Sequence, residues 1–286
     1  MERVKIVITG ASGFIGQHLV ENFKSNPGVD VVAVSRREFK NSYKVLDYAQ
    51  TPLGDVLIHL AEDNNIESVA AKGKAYEKTT LTTLDSLLSK GYGRIVYVST
   101  SVLYGDYTRC PHKTSDEVQS DSPYKRIKVL SEQAVLGKPN GFVVRLGNVY
   151  GPLMSQKNVL SKILNQIPDD GNLVVNDSSP IRDFIWINDV ANGIMAVAQL
   201  EIFENKINRI YNLGTSVGTS IGGLAQLALE IAGQPERRIV SNIHSKKESS
   251  IVLNYEDTTR ACGWVPQTSL REGLRSLLNS SLEATK

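Results

Sequence analysis

The stretch Val4 to Gly16, VKIVITGASGFIG, constrains what this chain can fold into more than any other. Val4, Ile6, Val7 and Ile8 crowd the residues before Thr9 and Gly10. β-Branched residues pack well on a pleated surface, and a run that is apolar on both faces suits a strand buried inside a parallel sheet. Gly10, Gly13 and Gly16 follow at G-x-x-G-x-x-G spacing, and a helical pattern continues through Gln17 to Phe23. A strand that turns sharply into a helix leaves the first helical N–H groups unpaired, and glycines at the turn remove the Cβ atoms that would separate backbone from ligand. The arrangement predicts a dinucleotide pyrophosphate at the helix N-terminus, held by Gly10, Ser12, Gly13, Phe14, Ile15 and Gly16. Glycine spacing alone also fits an ordinary turn. Its place directly after an apolar strand and before a helix favours the ligand.

The remaining strand signals extend this start into an α/β chain. Apolar runs recur at Val29–Val34, Val45–Leu46, Asp55–Leu60, Arg94–Ser99 and Gly141–Leu146, with helical stretches at Ile15–Phe23 and Tyr76–Leu88 between them. Such alternation predicts a Rossmann-like, doubly wound parallel sheet whose active site opens at the C-terminal ends of the strands. After residue 151 the pattern changes to shorter mixed elements, with helices expected at Val159–Ile167, from a cap at Asn188-Asp189 through Leu200, at Ile221–Ile231 behind Ser220, and at Leu270–Leu278. The expected division is a dinucleotide-binding domain carrying the catalytic residues over 1–151. A smaller substrate-binding lobe follows over 152–286, some of its segments returning to the first domain.

Composition narrows the class of partner. A chain of 286 residues with net charge +2 and no long basic run gives no support to a nucleic-acid partner. No apolar run reaches membrane-spanning length and Met1-Glu2-Arg3 leads straight into a strand, so no membrane and a cytoplasmic location are expected. The two cysteines, Cys110 and Cys262, are too far apart in sequence to suggest a disulfide framework or a spaced metal site.

Two further places carry chemistry. At the end of the second strand, where an acidic residue would accept both ribose hydroxyls of NAD, the chain has Ser35-Arg36-Arg37. A guanidinium there can grip a 2′-phosphate, so Arg36 and Arg37 favour NADP(H), although arginines in that position can also simply face solvent. Asp47 and Tyr48 are placed at the adenine edge. Later, Tyr124 and Lys128 stand four residues apart on a helix opened by Pro123, hence on one face. An ammonium beside a phenol stabilises phenolate and makes Tyr124 a usable acid or base, with a Thr100 hydroxyl from the preceding strand end to hold the substrate oxygen. An i, i+4 pair of this kind also arises by chance on surfaces. His59, within an apolar run, is expected to pack or bond locally, and Glu62 to Glu67 to form a polar loop over the cofactor.

Taken together these blocks resemble the extended short-chain dehydrogenase/reductase family, in its nucleotide-sugar epimerase, dehydratase and reductase branch. Thr9 to Gly16 match the fingerprint T-G-x-x-G-F-I-G, and Ile58-His59-Leu60-Ala61 resembles the H-L-A strand near the cofactor. Ser99 to Gly105 resembles the segment that supplies the catalytic hydroxyl, with Thr100 at that position. Tyr124 and Lys128 fit Y-x-x-x-K. Arg145 to Pro152 resembles R-x-x-N-x-Y-G-P, whose asparagine here is Asn148, and Arg182 to Val190 resembles R-D-F-x-x-V-x-D-V. The resemblance implies catalysis by Thr100, Tyr124 and Lys128, and cofactor contacts from Leu60 and Ala61 with Tyr124 and Lys128. It further implies a nucleotide-diphosphate sugar bound by Thr100, Ser101, Asn148 and Arg182. It also implies a homodimer through the helices at Tyr76–Leu88 and Tyr124–Leu136, for which Leu81, Leu84 and Leu88 offer an apolar patch unless that stripe faces the sheet.

Departures from the family pattern sharpen the expected reaction. Sugar 4,6-dehydratases place Asp-Glu after the catalytic threonine, where this chain has Ser101-Val102, so dehydration is not expected. A 3,5-epimerising reductase such as GDP-fucose synthase needs a cysteine at the position of Val102. Cys110 and His112 lie in the following loop, where a solvated role is favoured over contact with a sugar. The expected activity is NADP(H)-dependent reduction of a nucleotide-linked 4-keto-6-deoxy sugar. The alternatives are a nucleotide-sugar 4-epimerase using NAD(P) and, from another class, a non-catalytic dinucleotide sensor or scaffold.

Overall fold

The structure is a computed structural model and describes residues 3–106, 111–200, 208–243 and 249–283. Its first half runs β1 (Val4–Thr9), α1 (Phe14–Lys24), β2 (Val29–Ser35), β3 (Tyr43–Lys44), β4 (Val56–His59), α2 (Ile66–Leu88), β5 (Arg94–Thr100), α3 (Pro123–Leu136), β6 (Gly141–Leu146) and β7 (Asn148–Tyr150). The second half continues with α4 (Val159–Leu164), β8 (Leu173–Asp177), β9 (Ile181–Trp186), α5 (Ile187–Ala198), β10 (Ile210–Leu213), β11 (Gly218–Ser220) and α6 (Ile221–Ile231). It ends with β12 (Ile239–Ile243), β13 (Ser250–Ile251), α7 (Glu256–Cys262) and α8 (Leu270–Glu283).

Seven strands form one parallel sheet in the order β10-β6-β5-β4-β1-β2-β3. Alternation along each strand feeds two layers. Ile6 and Ile8 of β1, with Val96 and Val98 of β5, pack beneath α1 and α5 through Leu19, Phe23, Val190 and Ile194. Val7, Ile95 and Tyr97 face the other way, against Leu84, Leu87 and Val135 of α2 and α3. Each such fully buried aliphatic side chain contributes about 1.5–3 kcal/mol relative to exposure. Leu84 and Leu88 are therefore core residues, 0% and 6% exposed. Of the leucine stripe read from the sequence, Leu84 and Leu88 face the sheet, while Leu81 is half-buried.

β7, β9, β11 and β13 make a smaller sheet, and β8 pairs with β12. With α4, α6 and α8 they enclose a second core around Leu160, Leu173, Phe184, Trp186, Leu224 and Leu274. No helix among the described residues is long and apolar enough to cross a membrane.

Several boundaries differ from the sequence reading. The third strand is Tyr43–Lys44, while Val45 only adds an N–H bond to the Ser35 carbonyl. α2 begins ten residues earlier than Tyr76, because Asn65 caps it through Ser68 N at 2.7 Å, and Gly73 (φ +59°) breaks it in the middle and obscures its periodicity. α5 is not capped by Asn188-Asp189: Trp186 is its N-cap residue, and Asp189 is buried inside the first turn, accepting from Thr268 N at 2.9 Å.

Candidate active site

The turn after β1 is shaped so that only glycine fits. Gly10 has φ +74°, and a Cβ built on it would lie 3.0 Å from the Leu60 carbonyl carbon. A Cβ on Gly16 would come within 2.3 Å of the Gly10 carbonyl oxygen. Gly13 is the N-cap residue of α1; no side chain caps that end, and no acidic residue stands in the first turn. The helix therefore presents unpaired N–H groups and positive dipole to the turn, a donor set that fits a pyrophosphate. Phe14 opens the helix with its ring edge-on to His18, and Ile15 packs into the core beside it.

The rim that would meet the adenosine end is partly pre-arranged. Ser35 is buried at the end of β2, where its hydroxyl donates to Ser12 Oγ at 2.7 Å and accepts from Arg37 N at 3.0 Å. Arg36 and Arg37 are both exposed, and the Arg36 guanidinium lies 5.3 Å from the centre of the Tyr48 ring. Asp47 accepts from Ala49 N and so caps the short 3₁₀ turn that holds Tyr48 in place. Leu60 and Ala61 sit directly after β4, with Leu60 N donating to the Thr9 carbonyl at 3.3 Å.

α3 delivers the tyrosine and lysine. Ser122 caps it through Lys125 N, and Pro123 occupies its first turn, where a missing N–H costs nothing. Tyr124 packs against Val69, Tyr76 and Ile127 and is 7% exposed. One turn later Lys128 reaches β5 in the interior of the sheet, its ammonium 3.4 Å from the Val98 carbonyl and 5.0 Å from the Tyr97 ring centre. Thr100, the last residue of β5, accepts from Val102 N at 3.3 Å, and Ser101 beyond it is buried.

Sequence reasoning missed the partner of that lysine. The side chain of Glu62, read as part of a polar loop, is buried, with its carboxylate 2.9 Å from Lys128 Nζ. It also accepts from the Tyr97 hydroxyl at 2.7 Å and from the Ser131 hydroxyl at 3.1 Å. Burial opposes its ionisation, but Lys128, His59 and the Tyr97 hydrogen bond outweigh burial and hold the carboxyl below the usual range. Burial likewise works against the Lys128 ammonium, yet Glu62 keeps it titrating well above an ordinary lysine. His59 does bond locally, its Nδ1 2.7 Å from Thr9 Oγ1 and its ring stacked near Tyr97. Burial pulls its pKa down to about 4.

On the lobe side, Asn148 opens β7 opposite Phe184 of β9, two residues beyond Arg182. Arg182 is partly exposed and donates to Ser249 Oγ at 2.8 Å, with Asp106 3.7 Å away. The neighbouring Asp183 is buried and accepts from Thr215, Ser216 and Leu253 backbone N–H groups, which fixes β9 against the 215–216 turn. His112 is not solvated as expected. It is buried, stacked 4.7 Å from the Tyr104 ring, with its backbone N–H on the Val252 carbonyl. Cys110 lies outside the described residues.

A model of the NAD dependent epimerase/dehydratase family matches residues 6–214. The chain belongs to that family. Among individual members, a dTDP-glucose 4,6-dehydratase of Actinoplanes sp. is 24% identical over 310 residues, covering 95% of each chain. A UDP-glucose 4-epimerase of Corynebacterium glutamicum is 23% identical over 307 residues, covering 94% of this chain and 93% of that one. A crystal structure of UDP-glucose 4-epimerase with UDP-glucose from Thermotoga maritima shares the fold at TM-score 0.83 and 21% identity, over 99% of this chain and 100% of the other.

Proposed function

We propose that this protein interconverts a hydroxyl and a carbonyl at C4 of a nucleotide-diphosphate sugar, and that it works as a 4-epimerase. The observation that carries this reading is the placement of Tyr124 and Lys128 one turn apart on α3, with the lysine drawn against β5 two residues before Thr100. The names of the Corynebacterium and Thermotoga proteins support the epimerase over the ketoreductase. Ser101-Val102, in place of an acid pair after Thr100, speaks against dehydration.

In this reading Thr100, with Ser101 beside it, orients the sugar oxygen, and Tyr124 exchanges a proton with that oxygen. The Lys128 charge stands one turn from Tyr124 and holds a ribose hydroxyl. The turn Gly10–Gly16, with Leu60 and Ala61, would hold a dinucleotide, which when bound supplies the hydride acceptor and donor. Asn148 and Arg182 grip the substrate diphosphate far from C4, converting remote binding into placement of the reacting carbon. Epimerisation then requires the transient ketone to turn and present its other face before the proton returns from Tyr124.

A second reading, reduction of a 4-keto sugar by NADPH, is favoured by Arg36 stacked on Tyr48 where an acid would favour NAD. The two separate in one experiment. The purified protein is denatured and any released dinucleotide identified, and fresh protein is then incubated with UDP-glucose in one arm and with NADPH plus a nucleotide-linked 4-keto sugar in the other. Retained NAD(H) and conversion to UDP-galactose without net reductant support the epimerase. Consumption of NADPH in step with loss of a nucleotide 4-keto sugar supports the reductase. Tyr124→Phe is expected to lower turnover by about 10²–10⁴ in either case. Unchanged turnover would sink both.

A further inference from the structure

The loop after β4 carries a buried acid that the proposed reaction does not use. Glu62 Oε2 receives two donors, Lys128 Nζ at 2.9 Å and the Tyr97 hydroxyl at 2.7 Å, while Oε1 receives the Ser131 hydroxyl at 3.1 Å. These donors come from β5 and from α3, so the carboxylate is fixed from two elements at once. Both side chains of the ion pair are under one-tenth exposed. A buried carboxylate held this way cannot swing out to solvent, and the ammonium it meets is the one that stands a turn from Tyr124.

We propose that Glu62 is a positioning residue: anchored by Tyr97 and Ser131, it pins the Lys128 ammonium against β5, one turn from Tyr124, and supplies its counter-charge. This rests on the reading of Lys128 as part of the active site. The groups around the pair allow the role. His59 of β4 stays neutral near pH 7, since burial pulls it down to about 4, and its Nδ1 is engaged by Thr9 of β1. Tyr97 of β5 is pushed well above the usual tyrosine range by burial and by Glu62, so it remains a donor. Asp63, next in the loop, is taken up by Lys72 and Ser68 of α2. Glu132 of α3 is paired with Arg145 of β6. Tyr76 of α2 packs in the small cluster that holds Tyr124.

Physically the pair solves a problem that a lone lysine would face here. An ammonium buried without a counter-charge loses its proton readily, because desolvation penalises only the charged form. A neutral Lys128 would leave Tyr124 without a positive field one turn away. Glu62 keeps that field in place before any ligand arrives, so the lysine need not be ordered or charged by binding.

The test is carbon-13 NMR of the full-length protein labelled at lysine Cε, titrated between pH 6 and 12 without substrate or dinucleotide. The Lys128 resonance is assigned by its loss in Lys128→Arg. In the native protein it should hold its ammonium position to higher pH than the other lysines. In Glu62→Gln its midpoint should fall by at least about one pH unit, a tenfold easier loss of the proton. Glu62→Asp, one methylene short of contact, should show a smaller fall and serves if the glutamine variant does not fold. A midpoint unmoved in the folded variants overturns the proposal. That failure would leave the proposed reaction untouched, whereas wild-type turnover in Tyr124→Phe would sink the reaction and leave the Glu62–Lys128 titration standing.

Discussion

Arg145 in β6 and Glu132 on α3 are joined by two parallel hydrogen bonds, Nε to Oε1 at 3.0 Å and Nη2 to Oε2 at 2.6 Å, and both side chains are 4% exposed. The Tyr104 ring centre lies 4.8 Å from the guanidinium carbon. The pair bolts α3 to the sheet on the same helix that carries Tyr124 and Lys128. Removing one partner strands a buried charge, which typically costs about 3–5 kcal/mol. Glu132→Ala should lower the unfolding free energy by that amount in urea denaturation, while an apolar double replacement, Glu132→Met with Arg145→Met, should recover much of it. A single variant as stable as the native chain would show that the charge is relieved by water or rearrangement.

At the glycine turn, Gly16→Ala forces a methyl group to within 2.3 Å of the Gly10 carbonyl oxygen and 2.8 Å of the Ala11 Cα. Both are backbone atoms and cannot rotate away. Overpacking of this sort costs about 1–3 kcal/mol, and separating the helix from the turn also disturbs the N–H groups offered to a pyrophosphate. Thermal unfolding should show the first effect. Fluorescence titration with NADH and NADPH should show weakened binding of both. Unaltered affinity would argue that the dinucleotide lies elsewhere.

Arg36 separates the two dinucleotides. If its guanidinium meets a 2′-phosphate, NADPH should bind the native protein at least about tenfold more tightly than NADH, or about 1.4 kcal/mol. Arg36→Ala should erase most of that difference while sparing NADH. Calorimetric titration of dinucleotide-free protein decides it. A native preference for NADH would remove the argument for the ketoreductase.

His59 makes a pH prediction of definite sign. Its folded pKa, about 4, lies below the value near 6.5 expected unfolded, and the main cause is burial. Between those values the unfolded chain binds more protons, so this contribution to stability is intact above about pH 6.5 and is lost as pH falls toward 4, by about 3 kcal/mol in total. His59→Gln, which keeps a hydrogen-bonding side chain near Thr9, should flatten the dependence of urea stability on pH in that window. An equally steep slope in the variant would assign the proton uptake to another group.

Much of the fold was legible because strands buried on both faces leave a plain mark. β1, β2, β5 and β6 were placed to within a residue, since their apolar runs end at glycine or polar residues. The one-turn spacing of Tyr124 and Lys128 on α3 was legible because Pro123 opens that helix and residues four apart share a face. What stayed hidden depended on contacts between distant segments. Glu62 sits among polar residues and reads as solvated, yet Tyr97, Lys128 and Ser131 all reach it. His112 likewise reads as a loop residue until Tyr104 covers it. Leu84 and Leu88 illustrate the reverse ambiguity, because an apolar helical stripe looks the same whether it faces a sheet or a second molecule.

β10, the last strand to join the large sheet, comes from residues 210–213 and pairs along Val143 to Leu146 of β6. Until those residues have left the ribosome, β6 offers an open row of N–H and C=O groups, a template for pairing with another chain. During synthesis the first 151 residues therefore emerge with a sticky border that only later sequence can seal. A chain cut at that point should aggregate rather than persist as a separate dinucleotide-binding unit.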